Sequence, residues 1–204
     1  MAGTANNFRI TGRVLGPGIL WAGLAIPSAS ARLTLATVDS DGFITPDATA
    51  NPSAYAVGAT KGGVVCEAKA ERTDFMADEI NGPIDSKVQT VSMMIKADLY
   101  GIMDEKVSAL VSAGFGTYAT ASGYKQNTFG YVADSFTSMA LICPQREDPT
   151  KVFVFHIYKA ICTSGLTINA TKSDLAASTS EFKGYAITTR TPADQMGNFW
   201  WQIA

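Results

Sequence analysis

The sequence predicts a mainly β protein, a β-sandwich or partial barrel of antiparallel strands with one flanking α-helix. Three observations predict it. Two runs, 64–71 and 90–99, alternate apolar and polar residues, the period of a half-buried strand. Further short strand-like runs recur at regular intervals, separated by Gly, Pro and Asp. A single stretch, 103–114, switches to the period of a helix. A chain of 204 residues suits one all-β domain with a real core. Its charged residues amount to only 17% against 47% hydrophobic, thin ionic cover that points to apolar surface buried against other chains. A net charge of −2 leaves no basic footprint for tight phosphate binding. Cys66, Cys143 and Cys162 lie far apart without CxxC spacing, which fits a reduced compartment and offers no metal site.

In chain order, residues 1–7 are small and polar and read as an arm, mobile or held by a partner. Residues 8–15 read as a short strand and Gly16-Pro17-Gly18 as a tight turn. Arg9 and Arg13 ahead of the apolar run 14–26, with Ser28-Ala29-Ser30-Ala31 behind it, imitate a secretory signal. Gly16-Pro17-Gly18 breaks that run where a signal needs helix, and the run is too short to span a bilayer, so an ordinary segment is expected. Residues 19–22 and 31–38 read as the next strands. Asp39-Ser40-Asp41-Gly42 resembles the opening of a calcium loop, but Phe43-Ile44-Thr45-Pro46 stands where acidic ligands belong. A hairpin turn at Asp41-Gly42 is the better reading, followed by a loop over 46–53.

Gly58, Gly62 and Gly63 lead into a strand and lack the strand-loop-helix context of a phosphate cradle, so a turn or bulge is expected. Over 64–71, Val64, Cys66, Ala68 and Ala70 share one face, with Glu67, Lys69 and Glu71 on the other. Over 90–99, Val91, Met93, Ile95, Ala97 and Leu99 oppose Thr90, Ser92, Lys96 and Asp98. Residues 72–87 read as a long connector. The helix carries Met103, Val107, Leu110, Val111 and Gly114 on its apolar stripe, with Asp98 as candidate cap and Gly114 as stop. Residues 114–127, rich in Gly, Ser and Thr around Tyr118 and Tyr124, read as exposed loop. Residues 135–143 and 151–162 are strong strand candidates joined by a charged loop over 144–149, and the second, nearly all apolar, is expected at the sheet centre. Residues 181–189 give a last strand before the aromatic tail Phe199-Trp200-Trp201.

Catalytic chemistry finds little support. His156, the sole histidine, lies inside the most apolar strand and reads as a core or interface residue, with no GxSxG to make a triad. Glu67, Glu71, Asp74, Asp78 and Glu79 form an acidic group that reads as solvated surface, not as a metal or glycosidase site. No catalytic, cofactor-binding or metal-binding residues are assigned. An amphipathic sheet keeps open borders unless its strands pair elsewhere, and pairing with further copies of the same chain gives rings or tubes. The wet faces would then line a channel with Lys61, Glu67, Lys69, Glu71, Thr90, Ser92 and Lys96. Such a mixed lining suits nucleic acid that slides through without sticking. The same alternation equally fits a face turned to bulk solvent.

The stretch Val14-Leu15-Gly16-Pro17-Gly18-Ile19-Leu20-Trp21-Ala22 resembles the opening of major tail tube proteins of long-tailed bacteriophages of the siphovirus type. Gly58-Ala59-Thr60-Lys61-Gly62-Gly63-Val64 is similar to their G-x-T-x-G-G-V entry into a first long strand, and Phe182-Lys183-Gly184-Tyr185-Ala186 resembles their closing segment. The acidic connector through Gly82-Pro83-Ile84-Asp85, the second strand and the helix follow in that family's order. The likeness covers most of the chain, departing at 39–57, at 114–128 and in the aromatic tail.

The resemblance implies one tail-tube domain over 1–204, a structural protein of the virion tail put together in the host bacterial cytoplasm. Hexameric rings would stack into a tube that encloses a tape-measure protein, meets tail terminator and distal tail proteins, and passes DNA during ejection without a membrane contact. The family's inter-ring loop falls here at 72–87, with Phe75, Met76, Asp78, Glu79, Ile80, Pro83 and Ile84 as candidate contacts. Phe75→Ala, or charge reversal at Asp78 and Glu79, is then expected to block tube growth and spare the fold. The competing readings are a secretion-system tube or tail terminator ring, and a monomeric β-barrel holding a small apolar ligand among Phe153, Phe155 and Trp21. A hydrolase working through Glu67 or Glu71 is the third.

Overall fold

Val152-Phe153-Val154-Phe155-His156-Ile157, a β-branched and aromatic run, forms the strand on which the rest is laid. The computed structural model describes residues 18–29, 31–38, 44–58, 60–76, 83–100, 103–145, 148, 150–171 and 174–202. The strands before the helix are β1 (Ile19–Ala22), β2 (Leu35–Val38), β3 (Ile44–Pro46), β4 (Tyr55–Ala56), β5 (Thr60–Met76) and β6 (Pro83–Leu99). The helix α1 spans Glu105–Val111. After it come β7 (Gly116–Ala121), β8 (Tyr124–Phe129), β9 (Thr137–Pro144), β10 (Val152–Cys162), β11 (Ile168–Thr171), β12 (Asp174–Gly184) and β13 (Gly197–Trp201).

The main sheet runs β4-β1-β9-β10-β12-β6-β5, with β11 on β12 and β13 on β10. Every pairing in it is antiparallel. β10 has β9 on one side; on the other, β13 takes Phe153 to Ile157 and β12 takes Ala160 to Cys162. Both of its borders are filled, and both of its faces are covered by a core, which is why it is apolar on both. The sheet curls until Met93, Ile95 and Leu99 of β6 share one core with Leu20, Leu141, Phe155 and Ile157. α1 closes that core with Val107, Leu110 and Val111. A second, smaller core on the other face packs Leu33 and Ile44, from the β2–β3 side, on Ile142, Val152 and Val154. The expectation of a mainly antiparallel β architecture with one helix thus holds. Among the described residues β4 and β5 do not pair, so the barrel stays open.

Several sequence expectations need correction. Residues 72–87 are not simply a connector: β5 runs on to Met76 and β6 starts at Pro83, leaving only 77–82 outside the described residues. Residues 114–127 contain the β7–β8 hairpin, turning at Gly123 with φ 86°, instead of an open loop. Asp98 belongs to β6; the cap of α1 is Asp104, whose Oδ1 accepts from the amides of Lys106 at 2.9 Å and Val107 at 3.2 Å. Met103 is 88% exposed because it precedes the helix instead of lying on its stripe. The helix stops at Val111 with Ser112 as its C-cap, earlier than expected; Gly114, two residues past the cap at φ 89°, turns the chain toward β7.

The strand expected over 181–189 is β12, which begins earlier and stops at Gly184; β13 is the last strand. Within 31–38 only β2 is strand, and the expected strand at 8–15 and the Asp41-Gly42 turn lie outside the described residues, although β2 and β3 do pair. The pairing shifts between Lys61 and Val64, so Gly62 (φ 71°) and Gly63 (φ 95°) form the predicted bulge. Among the described residues no helix is long and apolar enough to cross a membrane.

Candidate assembly surface

β5 and β6 build this surface. Their register sets Lys61 opposite Asp98, Val65 opposite Lys96, Glu67 opposite Met94, Lys69 opposite Ser92 and Glu71 opposite Thr90. Residues directly opposite in an antiparallel pair share a face. All seven residues expected to line a channel, Lys61, Glu67, Lys69, Glu71, Thr90, Ser92 and Lys96, therefore fall on one side of the sheet. The side chain of Lys61 lies outside what is described. Glu71 Oε2 accepts from Thr90 Oγ1 at 2.8 Å, and Glu67 pairs with Lys69, whose ammonium it holds above the ordinary lysine range by that hydrogen bond.

The third strand of this face was not legible. β12 pairs with β6 so that Thr179, Glu181 and Lys183 stand beside Asp98, Lys96 and Met94. Lys96 Nζ reaches Glu181 at 3.1 Å. By register the face carries Lys61, Lys69, Lys96 and Lys183 against Glu67, Glu71, Asp98 and Glu181, a formal balance of zero. No local alternation of residue type marks β12, because Ser178 and Ser180, although buried with Phe182, are as polar as exposed Thr179 and Lys183.

Beyond the body the same hairpin becomes a two-stranded arm. β12 contacts β6 only from Met94 to Leu99, so residues 83–93 have no neighbour on that border among the described residues. The burial stops there as well. Met93 is buried, but the next residue of its face, Val91, is 53% exposed, and across the ladder Ala70 is exposed too. The expected apolar face of 64–71 and 90–99 thus has no cover at its outer end among the described residues. The arm continues through Arg72↔Val88 and Phe75↔Asp85, roughly 25 Å past Met93 at about 3.3 Å per residue. Phe75 is half-exposed. Of the other candidate contacts, Met76, Pro83 and Ile84 are placed by backbone alone, and Asp78, Glu79 and Ile80 lie outside the described residues.

Between β5 and the inner face of the sheet lies an apolar cleft of about 640 Å³, lined by Gly18, Val64, Cys66, Leu141, Phe153 and Phe155 among others. Phe153 and Phe155 are thus beside a cavity as the ligand-barrel reading expects, whereas Trp21 packs on the smaller core of the opposite face. Burial pushes the thiol of Cys66 up to about 12, with Cys143 adding to it, and that of Cys143 to about 11; both stay protonated and are poor nucleophiles. Phe199 stacks on Trp201 at 5.9 Å and leans on Phe153 at 6.4 Å, giving the aromatic tail a place beside the cleft.

His156 is fully buried, with Nε2 2.7 Å from Ser138 Oγ. Among the described residues no partner reaches its Nδ1, so the pair shows no third group to orient the imidazole as in a triad. Burial first, and the Arg190 charge second, press its pKa down to about 4. Tyr158 beside it donates to Asp194 Oδ1 at 2.8 Å, and Arg190 joins Asp194 Oδ2 at 2.5 Å and the Pro27 carbonyl at 2.8 Å. Of the acidic group, Glu67 and Glu71 share the wet face, while Asp74 stands opposite Ser86 farther out. Among the described residues no group of three or more His, Cys, Asp or Glu could hold a metal ion.

No protein-family model matches this chain, and no curated protein matches it.

Proposed function

We propose that this chain is a structural subunit that joins copies of itself into stacked rings, making a hollow tube. The observation that carries the reading is the β5–β6 arm, a two-stranded ribbon whose β6 border has no partner among the described residues, with Val91 and Phe75 half-exposed. A lone two-stranded ribbon is marginal in water. A ribbon of this length with Phe75, Val88 and Val91 exposed is stabilised when a second sheet border and an apolar surface meet it. The charge-balanced wet face beside it provides no net attraction for phosphate, as a conduit for DNA requires.

Together with the sequence resemblance, these features support a bacteriophage tail tube of hexameric rings. It would be a virion component that encloses a tape-measure protein, is bounded by tail terminator and distal tail proteins, and serves DNA ejection. The test is electron microscopy and sedimentation of the purified protein at rising concentration. Rings and hollow rods are expected. A single-chain mass at every concentration would sink the reading. That monomer, if it also took up a small apolar probe in the 640 Å³ cleft, would favour the ligand-barrel reading instead.

A further inference from the structure

We propose that a recess at the start of β9 binds a small organic carboxylate, with its charge on Lys159 and its hydrocarbon against the surrounding wall. The recess measures about 550 Å³ and lies between the chain that follows β1, the start of β9 and the middle of β10. Small-molecule sites commonly run from roughly 300 to 1,000 Å³. Leu24, Ile26, Phe136 and Ile187 make the lining apolar, and Lys159 is its one charged residue among those described.

A bulge in β10 puts the lysine there. Phe155 and Ile157 turn into the larger core, and strict alternation would send Lys159 after them. Instead the pairing with β9 passes from Ile157↔Met139 to Ala160↔Thr137, two residues of β10 against one of β9. Ala160 and Cys162 resume the core face, while the neighbours Tyr158 and Lys159 both line the recess. The bulged backbone is held at each residue. Tyr158 N donates to the Met196 carbonyl at 3.0 Å, and the Lys159 carbonyl accepts from Tyr185 N at 2.7 Å. The Tyr158 hydroxyl is fixed in turn by Asp194 at 2.8 Å, so this wall is set before any ligand arrives.

What the lysine lacks is an anion. Its Nζ lies 4.2 Å from the centre of the Phe136 ring, and no carboxylate among the described residues pairs with it. An aromatic face compensates a half-buried cation only in part. A carboxylate entering the recess completes the pair, and the hydrocarbon behind it covers Leu24, Phe136 and Ile187. One cation suits a monoanion, and the apolar wall favours an organic ion over a bare inorganic one. The 640 Å³ cleft beside β5 carries no charged residue on its described lining, so it has no such preference. The recess uses neither the arm nor its β6 border, so this inference holds or fails independently of the tube reading.

The test is titration of the dispersed, isotope-labelled chain with hexanoate, hexanamide and acetate, followed by amide shifts in NMR. Hexanoate is expected to bind at least about tenfold more tightly than hexanamide, which lacks the charge, and than acetate, which lacks the chain. The shifts should gather at Gly23, Ser138 and Lys159. Lys159→Met keeps the apolar stem without the ammonium and should lose the preference for hexanoate over hexanamide, whereas Lys159→Arg should keep it. The comparison of the three probes on the unmodified protein needs no substitution, so a variant that fails to fold leaves the proposal open to refutation. No binding of hexanoate, equal affinity for either comparison compound, shifts centred on Val64 and Cys66, or an unchanged preference in folded Lys159→Met would overturn it.

Discussion

Acid should weaken this fold through one residue. His156 is sealed between Ser138 Oγ at 2.7 Å and the near-perpendicular Tyr158 ring, 5.1 Å between ring centres, with Arg190 near enough to repel an imidazolium. Its pKa is about 4 in the folded chain against 6.5 for an ordinary histidine. Between those two values the unfolded chain binds a proton that the folded chain refuses. Stability from this source is whole above pH 6.5, is lost as pH falls toward 4, and changes no further below that. Each pKa unit corresponds to ~1.4 kcal/mol, so the loss is about 3 kcal/mol, a sizeable share of the 5–15 kcal/mol typical of a domain. Urea unfolding followed by tryptophan fluorescence at about pH 7.5, 5.5 and 4 measures it. The comparison is His156→Gln, whose amide can still meet Ser138 and does not titrate. The wild type should lose about 3 kcal/mol more than the variant across that window. Parallel decline of the two proteins would refute the assignment to His156.

Two further outcomes follow from the geometry. Phe75→Ala removes a side chain that is half in solvent, so the free chain should lose less than about 1 kcal/mol in a thermal melt. If the arm docks, the same variant should form no rods under the electron microscope; normal rods count against the arm. Arg190→Met removes the guanidinium shared by Asp194 Oδ2, the Pro27 carbonyl and the Tyr158 ring face. Because Arg190 and Asp194 keep some solvent contact, the expected cost is about 2–3 kcal/mol by chemical unfolding. Arg190→Lys should recover less than half of it, since one ammonium cannot serve acceptors that the planar fork spans.

The strands that sequence made legible are those with at least one face in the core. Ile95, Ala97 and Leu99 alternate with Lys96 and Asp98 because the sheet is buried on one side only there. Past Met93 neither face is covered by the described residues, Arg72, Asp74, Asp85 and Lys87 show no alternation, and the ladder alone defines the strand. The same holds for β7 and β8, exposed along most of their length, where Gly123 was the only local sign of a hairpin. The wet-face lysines and glutamates of β5 and β6 could be read because each strand carries its own alternation. Glu181 and Lys183 joined them only through the pairing of β12 with β6, which no local pattern reveals. The Tyr158–Arg190–Asp194 cluster escaped for a like reason: it is assembled from β10 and a loop far along the chain, and only the four-residue spacing of Arg190 and Asp194 hinted at it.

The shared border of β10 has a consequence for synthesis. Phe153 to Ile157 wait for residues 197–201, and β1 waits for β9, so the first described strand and the last are both joined to the middle of the chain. A nascent polypeptide that has emerged only as far as β12 still shows the ribosome's surroundings an open strand of valine, phenylalanine and isoleucine. Such long-range closure is slow and leaves a sticky half-made sheet in the meantime. A protein made in many copies at once is then exposed to mispairing with its siblings at the very moment before each one seals itself.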